Sequence, residues 1–319
     1  MANRLQHVLL LTPEYRNYVW GGSRLKPGES PVAEAWVVYA GDRVAGGPLA
    51  GRMLGELAAE YGPALLGHKV VARFGTRFPL LVKLLDCAQW LSVQVHPNDE
   101  QAVQLEGAGQ YGKTEAWHIL QAAEGASIVA GIKPGVAPET FAQSVRGGTI
   151  LDHVQVVSVH SGDTVFMPAG TVHALGPGLL VYEVQENSDI TYRVFDWNRP
   201  QTAGRVLHIE QSLAVANPGA TGQARPLPPL QDGAGHLLCE CPYFTLEMLY
   251  ARRSASIELD TAGESFHALT VIEGALQVVT KGETIQVGRF ETIFVPASYG
   301  GYRLQPHGGF RALKASVEG

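Results

Sequence analysis

Short apolar or alternating runs dominate this chain, and they predict strands. Successive side chains of a strand point to opposite faces, whereas a half-buried helix repeats its apolar positions every three or four residues. The runs before residue 200 are 33–40, 78–85, 90–95, 127–132, 164–167, 179–184 and 190–195. Those after residue 240 are 244–250, 256–259, 267–271, 275–279, 284–287 and 291–295. The pattern predicts a mainly β protein.

Helical spacing is confined to the first two thirds of the chain. It occurs at 54–66, 98–105 and 138–145, and a further helix is predicted at 205–216. The second of these begins after Pro97 with Asn98 and Asp99, which are favourable residues at a helix start. The chain therefore predicts a few helices added to a β framework.

A stretch rich in proline, glycine and alanine, 217–235, predicts a linker. It divides the chain into a catalytic domain at 1–217 with helical insertions, a linker at 218–235, and a β domain at 236–319. We expect the last domain to lack a metal site.

The two β domains share a faint repeat. The segment 288–297 echoes 162–169, which predicts two copies of one barrel unit. Counted from the shared Pro-Ala pair, the second copy has Gly301 where the first has His173. A structural role is the simplest reading of the second copy.

Composition limits the class of protein. The 319 residues are 45% hydrophobic and 17% charged, with a net charge of −6 that offers no basic face for nucleic acid. Cys87, Cys239 and Cys241 form no CxxC pair, which argues against a disulfide framework and favours a reducing cytoplasm. The apolar run at 8–11 is too short for a signal peptide or a membrane span.

A histidine delivered by a tight turn is the strongest sign of chemistry. His173 follows Pro168-Ala169-Gly170, and upstream Gln94 and His96 lie two apart, so they face the same side of a strand. Taken singly, His96 is a polar residue before a turn and Glu115 a partner of Lys113. Jointly, these nitrogen and oxygen donors predict a metal site that suits zinc, with iron, manganese and nickel left open.

Further polar groups lie in apolar or aromatic surroundings. Lys83 interrupts an apolar run, Ser92 lies on the same strand face as Gln94, and Arg193 is flanked by aromatic residues. With Lys113, these groups favour an anionic substrate such as a phosphate ester.

Several ordered blocks together resemble the type I mannose-6-phosphate isomerases in their short bacterial form. These blocks are 18–22, 91–99, 112–117, 168–173 and 185–197. The resemblance extends from about residue 10 to the end and is firmest between 78 and 200. Ala116, His118 and Glu186 depart from what most relatives carry, beside the proposed ligands, which bears on substrate preference.

The resemblance implies a double cupin fold with one Zn²⁺ per chain. The implied zinc ligands are Gln94, His96, Glu115 and His173, the implied catalytic residues are Arg193 and Lys113, and the implied phosphate-side residues are Ser92 and Lys83.

The implied reaction is aldose–ketose isomerisation of mannose 6-phosphate and fructose 6-phosphate. A proton moves between C2 and C1 through an enediolate, whose charge a metal and a fixed cation stabilise. Lys113 is a candidate acid/base, while Glu183 and Asp189 are rival bases near the substrate.

Two other functions compete with isomerisation. The chain is alternatively a non-catalytic cupin that senses sugar phosphates, or a metal-dependent cupin oxygenase with iron. The expected partner is a small sugar phosphate, with no nucleic acid and no membrane. Monomer and homodimer both stay open, as does the role of the C-terminal barrel.

Overall fold

The computed structural model describes residues 5–28, 31–200, 205–253 and 255–317. These residues form a mainly β, double cupin structure. The helices are α1 (Leu54–Tyr61), α2 (Pro63–Leu66), α3 (His68–Phe74), α4 (Asp99–Glu106), α5 (Pro138–Gly147) and α6 (Ile209–Val215). The first strands are β1 (Leu9–Thr12), β2 (Glu14–Arg16), β3 (Glu34–Val38), β4 (Arg43–Val44), β5 (Leu80–Cys87), β6 (Val93–Val95), β7 (Glu115–Ala122), β8 (Ser127–Ile132), β9 (Val154–Ser158), β10 (Thr164–Met167), β11 (His173–Leu175), β12 (Leu179–Glu186) and β13 (Tyr192–Phe195). The remaining strands are β14 (Ala224–Arg225), β15 (Ala234–Glu240), β16 (Thr245–Ala251), β17 (Ile257–Asp260), β18 (His267–Val279), β19 (Thr284–Val287), β20 (Thr292–Val295) and β21 (Gly301–Ser316).

The chain divides into two compact units, each discontinuous in sequence. The central unit contains residues 15–35 and 84–226, and the terminal unit contains residues 1–14, 36–83 and 227–319. The predicted linker at 218–235 includes the last crossing between the two units. Residues 36–83, which the sequence-based division placed in the first domain, belong to the same unit as residues 227–319.

Close backbone packing ties residues 36–83 to the C-terminal strands. A Cβ atom on Gly67 would lie 2.0 Å from the carbonyl oxygen of Glu264, so only glycine fits there. The buried rings of Phe78 and Phe266 stack with centroids 5.7 Å apart. Hydrophobic periodicity reports which face of an element is buried, but not which part of the chain covers that face.

Helix boundaries differ from the prediction at two places. The helix predicted at 54–66 breaks at Gly62, where the backbone turns to φ 48° and Pro63 starts α2. The helix predicted at 205–216 begins only at Ile209, because the backbone of His208 is non-helical, with φ −115° and ψ 61°. No helix among the described residues is long and apolar enough to cross a membrane.

Strand order confirms the internal repeat. The seven-stranded sheet contains the path β14-β10-β7-β12-β5-β3, and the nine-stranded sheet contains the matching path β1-β20-β18-β21-β16-β15. A side-chain contact between paired strands also occurs at equivalent positions of the two sheets. His118 Nδ1 lies 2.9 Å from Thr164 Oγ1 in the first sheet, and the Thr270 and Thr292 hydroxyl oxygens lie 2.9 Å apart in the second.

The register of these strands identifies equivalent positions. Met167 pairs with Glu115 on β7, and Val295 pairs with His267 on β18, so His267 occupies the position of Glu115. The Tyr302 hydroxyl lies 2.8 Å from His267 Nδ1 and therefore faces the same interior. Tyr302, not Gly301, thus matches His173, because the short 3-10 turn Ala297–Tyr299 shifts the count.

A buried carboxyl group near the start of the fold gives a stability prediction. Asp42 is 1% exposed and accepts a hydrogen bond from the Tyr39 N–H at 2.9 Å. Burial, together with the charge of Glu14, raises the pKa of Asp42 to about 8. Because this pKa is above that of the unfolded chain, the native state binds more protons. The contribution of Asp42 to the free energy of unfolding is therefore largest below about pH 4. It is lost as the pH rises towards 8.

We therefore expect Asp42→Asn to make the protein more stable at pH 8 by about 1–3 kcal/mol. Urea unfolding between pH 5 and pH 9 measures the free energy, and the variant should lose the decline that the wild type shows. Glu124→Gln, an exposed change, is the matched control. Parallel pH profiles for wild type and Asp42→Asn would contradict the prediction.

Candidate metal centre

Three buried residues converge in the central unit. Ligand atoms of His96, Glu115 and His173 all lie within 4.8 Å of one another. His96 follows β6 directly, Glu115 opens β7, and His173 opens β11. The sequence-based expectation that these separate segments meet is therefore realised in the fold.

The predicted fourth donor lies at the same place. Gln94 pairs with His173 across β6 and β11, and its amide nitrogen lies 3.3 Å from His173 Nε2. Gln94 and His96 share a strand face, as alternation along β6 requires. The four residues thus form one polar cluster.

Backbone carbonyls orient both imidazoles. His96 Nδ1 donates to the Ile190 carbonyl at 2.8 Å, and His173 Nδ1 donates to the Thr171 carbonyl at 2.8 Å. A carbonyl only accepts, so each Nδ1 carries the proton and each Nε2 presents its lone pair to the cluster. Burial lowers the pKa of His173, against the opposing effect of Glu115, and so favours the neutral ring.

The Glu115 carboxylate faces these lone pairs. Its Oε2 lies 3.6 Å from His96 Nε2, and its Oε1 lies 3.2 Å from His173 Nε2. Oε1 has no hydrogen-bond partner among the described residues. A buried carboxylate oxygen that points at an acceptor nitrogen is unfavourable unless a cation lies between them. The residues therefore fit a divalent metal ion.

Lys113 supplies a protein cation beside this cluster. Its buried ammonium lies 2.6 Å from Glu115 Oε2 and 2.9 Å from His96 Nε2. The group is thus within direct reach of any substrate atom bound at the cluster, and it partly offsets the charge of Glu115.

Trp117 supports His173 from the side. The two rings meet edge to face with centroids 5.3 Å apart, and the indole N–H donates to Glu183 Oε2 at 2.9 Å. All three side chains are buried. In this arrangement Glu183 holds the indole, and its predicted contact with substrate stays a prediction.

Arg193 lies on β13, next to the strand that carries Gln94. It pairs with Gln94 between β13 and β6, and its side chain is half-buried. Burial and the neighbouring Arg205 lower the pKa of its guanidinium, whereas Asp196 and Asp189 raise it. The guanidinium therefore gains from a bound anion that would offset its desolvation.

The other predicted binding residues are dispersed. Ser92 is buried two positions before Gln94, and Asp189 is exposed on the loop before β13. Lys83 belongs to the terminal unit, where its ammonium lies 5.3 Å from the centroid of the Trp36 ring. Binding of substrate by these three residues stays a prediction.

Sequence reasoning missed the groups that orient the ligands. The carbonyls of Ile190 and Thr171 carry no residue-type signal, because any amino acid supplies a carbonyl. The sequence analysis included Trp117 only as the last residue of the block 112–117 and gave it no role. Its contact with His173 depends on β7 and β11 lying in neighbouring sheets.

Comparison with known proteins points to one family. The family model described as phosphomannose isomerase type I, catalytic domain, matches residues 8–115. A mannose-6-phosphate isomerase of Streptococcus mutans is 38% identical over 253 residues, which cover 75% of this chain and 77% of that protein. The mannose-6-phosphate isomerase ManA of Bacillus subtilis is 31% identical and covers 93% of this chain and 95% of its own length.

Solved structures show the same fold. The crystal structure of a mannose 6-phosphate isomerase from Bacillus subtilis superimposes with a TM-score of 0.83 at 28% identity. The match covers 98% of this chain and 99% of that chain.

Proposed function

The chain belongs to the type I phosphomannose isomerase family, and we propose that it interconverts mannose 6-phosphate and fructose 6-phosphate in a zinc-dependent reaction. One observation carries the zinc dependence: the buried carboxylate of Glu115 faces two imidazole lone pairs, and its Oε1 has no hydrogen-bond partner among the described residues. A sugar phosphate substrate follows from the family, whose relatives are named for that reaction.

We propose that Gln94, His96, Glu115 and His173 hold the metal. The donor set of two imidazoles, one carboxylate and one amide is suited to zinc. When bound, the ion supplies Lewis acidity and a fixed positive charge towards substrate oxygens. The carbonyl contacts to each imidazole fix the ring orientation that such ligands need.

In this proposal Lys113 acts as the amine: it takes the proton from C2 of the open-chain sugar, and the ammonium so formed returns that proton to C1. Its side-chain nitrogen is buried and lies 2.6 Å from Glu115 Oε2 and 2.9 Å from His96 Nε2, so it is close to a substrate bound at the proposed metal site. Glu183 is a weaker base candidate because Trp117 already uses its Oε2. Asp189 is exposed to water, which makes it less suited to proton transfer in a dry site.

Arg193 is proposed to stabilise negative charge on the enediolate oxygens. A fixed guanidinium favours the state in which charge has developed over the neutral sugar, and this difference lowers the barrier. Ser92, which is buried two positions before Gln94, is proposed to bind the phosphate. We propose that the enzyme is cytoplasmic, because the described residues contain no disulfide framework.

We expect a chelator to reduce isomerase activity by about 100-fold or more, because the ligands cannot supply the lost positive charge. A coupled assay for fructose 6-phosphate measures turnover, and elemental analysis measures zinc before and after chelation. Added zinc should restore the rate, whereas buffer alone should not.

Two results would overturn the assignment. Full turnover by protein proven to be free of metal would remove the zinc from the reaction. Metal and substrate binding without any turnover would instead identify a sugar-phosphate sensor.

A further inference from the structure

The segment Gly112–Thr114 carries Lys113 and leads directly into Glu115. Each of its three consecutive backbone N–H groups is bound by a different partner. Gly112 donates to Asp99 Oδ1 at 2.8 Å, Lys113 donates to the Pro97 carbonyl at 2.9 Å, and Thr114 donates to Glu186 Oε1 at 2.8 Å. Two of the three acceptors are side-chain carboxyl groups, and these are open to test by substitution.

Close packing leaves no room for a side chain at Gly112 in this segment. A Cβ atom on Gly112 would lie 2.6 Å from the backbone of Asn98 and Asp99, at the start of α4. On the other side, the Glu186 N–H donates to the Thr114 carbonyl at 3.2 Å. The segment therefore passes between the first turn of α4 and the end of β12.

The two carboxyl groups also interact with each other. Glu186 is 3% exposed, and burial followed by the charge of Asp99 raises the pKa of Glu186 to about 8. A hydrogen bond joins its side chain to that of Asp99. Below that pH, the protonated Glu186 donates to Asp99 while it accepts from Thr114. Above it, two neighbouring negative charges repel each other.

Other charged groups do not reverse this effect. Asp99 is the charged neighbour of Glu186 from α4. From the segment itself, the Lys113 ammonium is directed to Glu115 and His96. Among the described residues, the interactions that favour ionised Glu186 are therefore its hydrogen bonds with Thr114, and burial opposes them.

Resting on the proposed isomerase function, we propose that Asp99 and Glu186 are positioning residues. They hold the backbone of Gly112–Thr114 and thereby fix Lys113 and Glu115, and ionisation of Glu186 loosens this segment and limits activity at alkaline pH.

Substitution of Glu186 separates positioning from simple packing. Glu186→Gln keeps an acceptor for Thr114 and a donor for Asp99 but cannot ionise. We expect its kcat at pH 7 to stay within about twofold of wild type, and its activity to persist to higher pH. Glu186→Ala loses the acceptor. Its kcat should fall by about 10–100-fold with KM changed by less than about threefold, since misplacement of a reacting group acts mainly on kcat.

Amide hydrogen exchange tests the same inference without turnover. Wild-type protection of the Gly112, Lys113 and Thr114 amides, corrected for intrinsic rate, should fall by about tenfold or more between pH 7 and pH 9. Glu186→Gln should keep that protection, and strand β8 serves as the internal reference. Elemental analysis of each variant shows whether the metal has been lost as well.

The outcomes are distinct. An alkaline limit in Glu186→Gln identical to wild type, or a Glu186→Ala enzyme with wild-type kcat, overturns the positioning role. If the wild type shows no isomerase activity, the proposed function fails, while the exchange data still decide whether the two carboxyl groups hold the segment.

Discussion

Replacing His173 with alanine should reduce kcat for isomerisation by roughly 10³-fold and remove most of the bound zinc. The imidazole is buried beside Glu115, with Nε2 and Oε1 3.2 Å apart, so no water-exposed group can take its place. Its loss removes one donor and leaves a cavity beside the carboxylate. Elemental analysis and the coupled assay measure the two effects in the same preparation.

The terminal unit provides the matched control. Tyr302 occupies the position equivalent to His173, and His267 that equivalent to Glu115. Tyr302→Phe should therefore leave both the zinc content and kcat within about twofold of wild type, because this hydroxyl lies 2.8 Å from His267 Nδ1 of the same unit. Zinc retained in His173→Ala at the wild-type level would contradict the ligand assignment.

Replacing Arg193 with alanine should reduce kcat by about 10²–10³-fold while the zinc content stays at the wild-type level. Arg193 is not one of the proposed metal donors, although it occupies the strand position paired with Gln94. Loss of zinc is therefore not expected. Loss of charge stabilisation in the transition state should lower kcat and kcat/KM together.

Arg146→Ala is the appropriate control for this experiment. Arg146 lies in the same unit, is exposed, and pairs with Glu210 at 3.1 Å, so its removal should leave kcat unchanged. Arg193→Lys should recover only part of the rate, because an ammonium lacks the planar donor fork of a guanidinium. Near-normal turnover of Arg193→Ala with full metal would exclude this arginine from catalysis.

The convergence of the proposed metal ligands could largely be predicted from the sequence because its signals are local. Gln94 and His96 alternate on one strand, and a proline–glycine turn delivers His173 to the next. Those rules hold whatever covers the strand. The pairing of Lys113 with Glu115 was also visible in the sequence, but its contact with His96 was not, since that contact depends on how the segment before β7 is held.

Other features could not be predicted from the sequence because they depend on backbone geometry or on contacts between distant residues. The break at Gly62 depends on a single backbone angle, and the equivalence of Tyr302 with His173 depends on a short turn that shifts the count. Glu186 is another example. Its carboxyl group acts on Lys113 through a backbone N–H seventy-two positions away, and no residue-type pattern encodes that contact.

The interleaved order of the two units also bears on how the chain is made. Leu9 on β1 pairs with Phe294 on β20, so β1 cannot pair until the much later strand β20 has been synthesised. Contacts of such long range close slowly, and a partner-less strand exposes an edge that invites aggregation. Nascent chains stalled before residue 292 should consequently lack the terminal barrel and depend on chaperones.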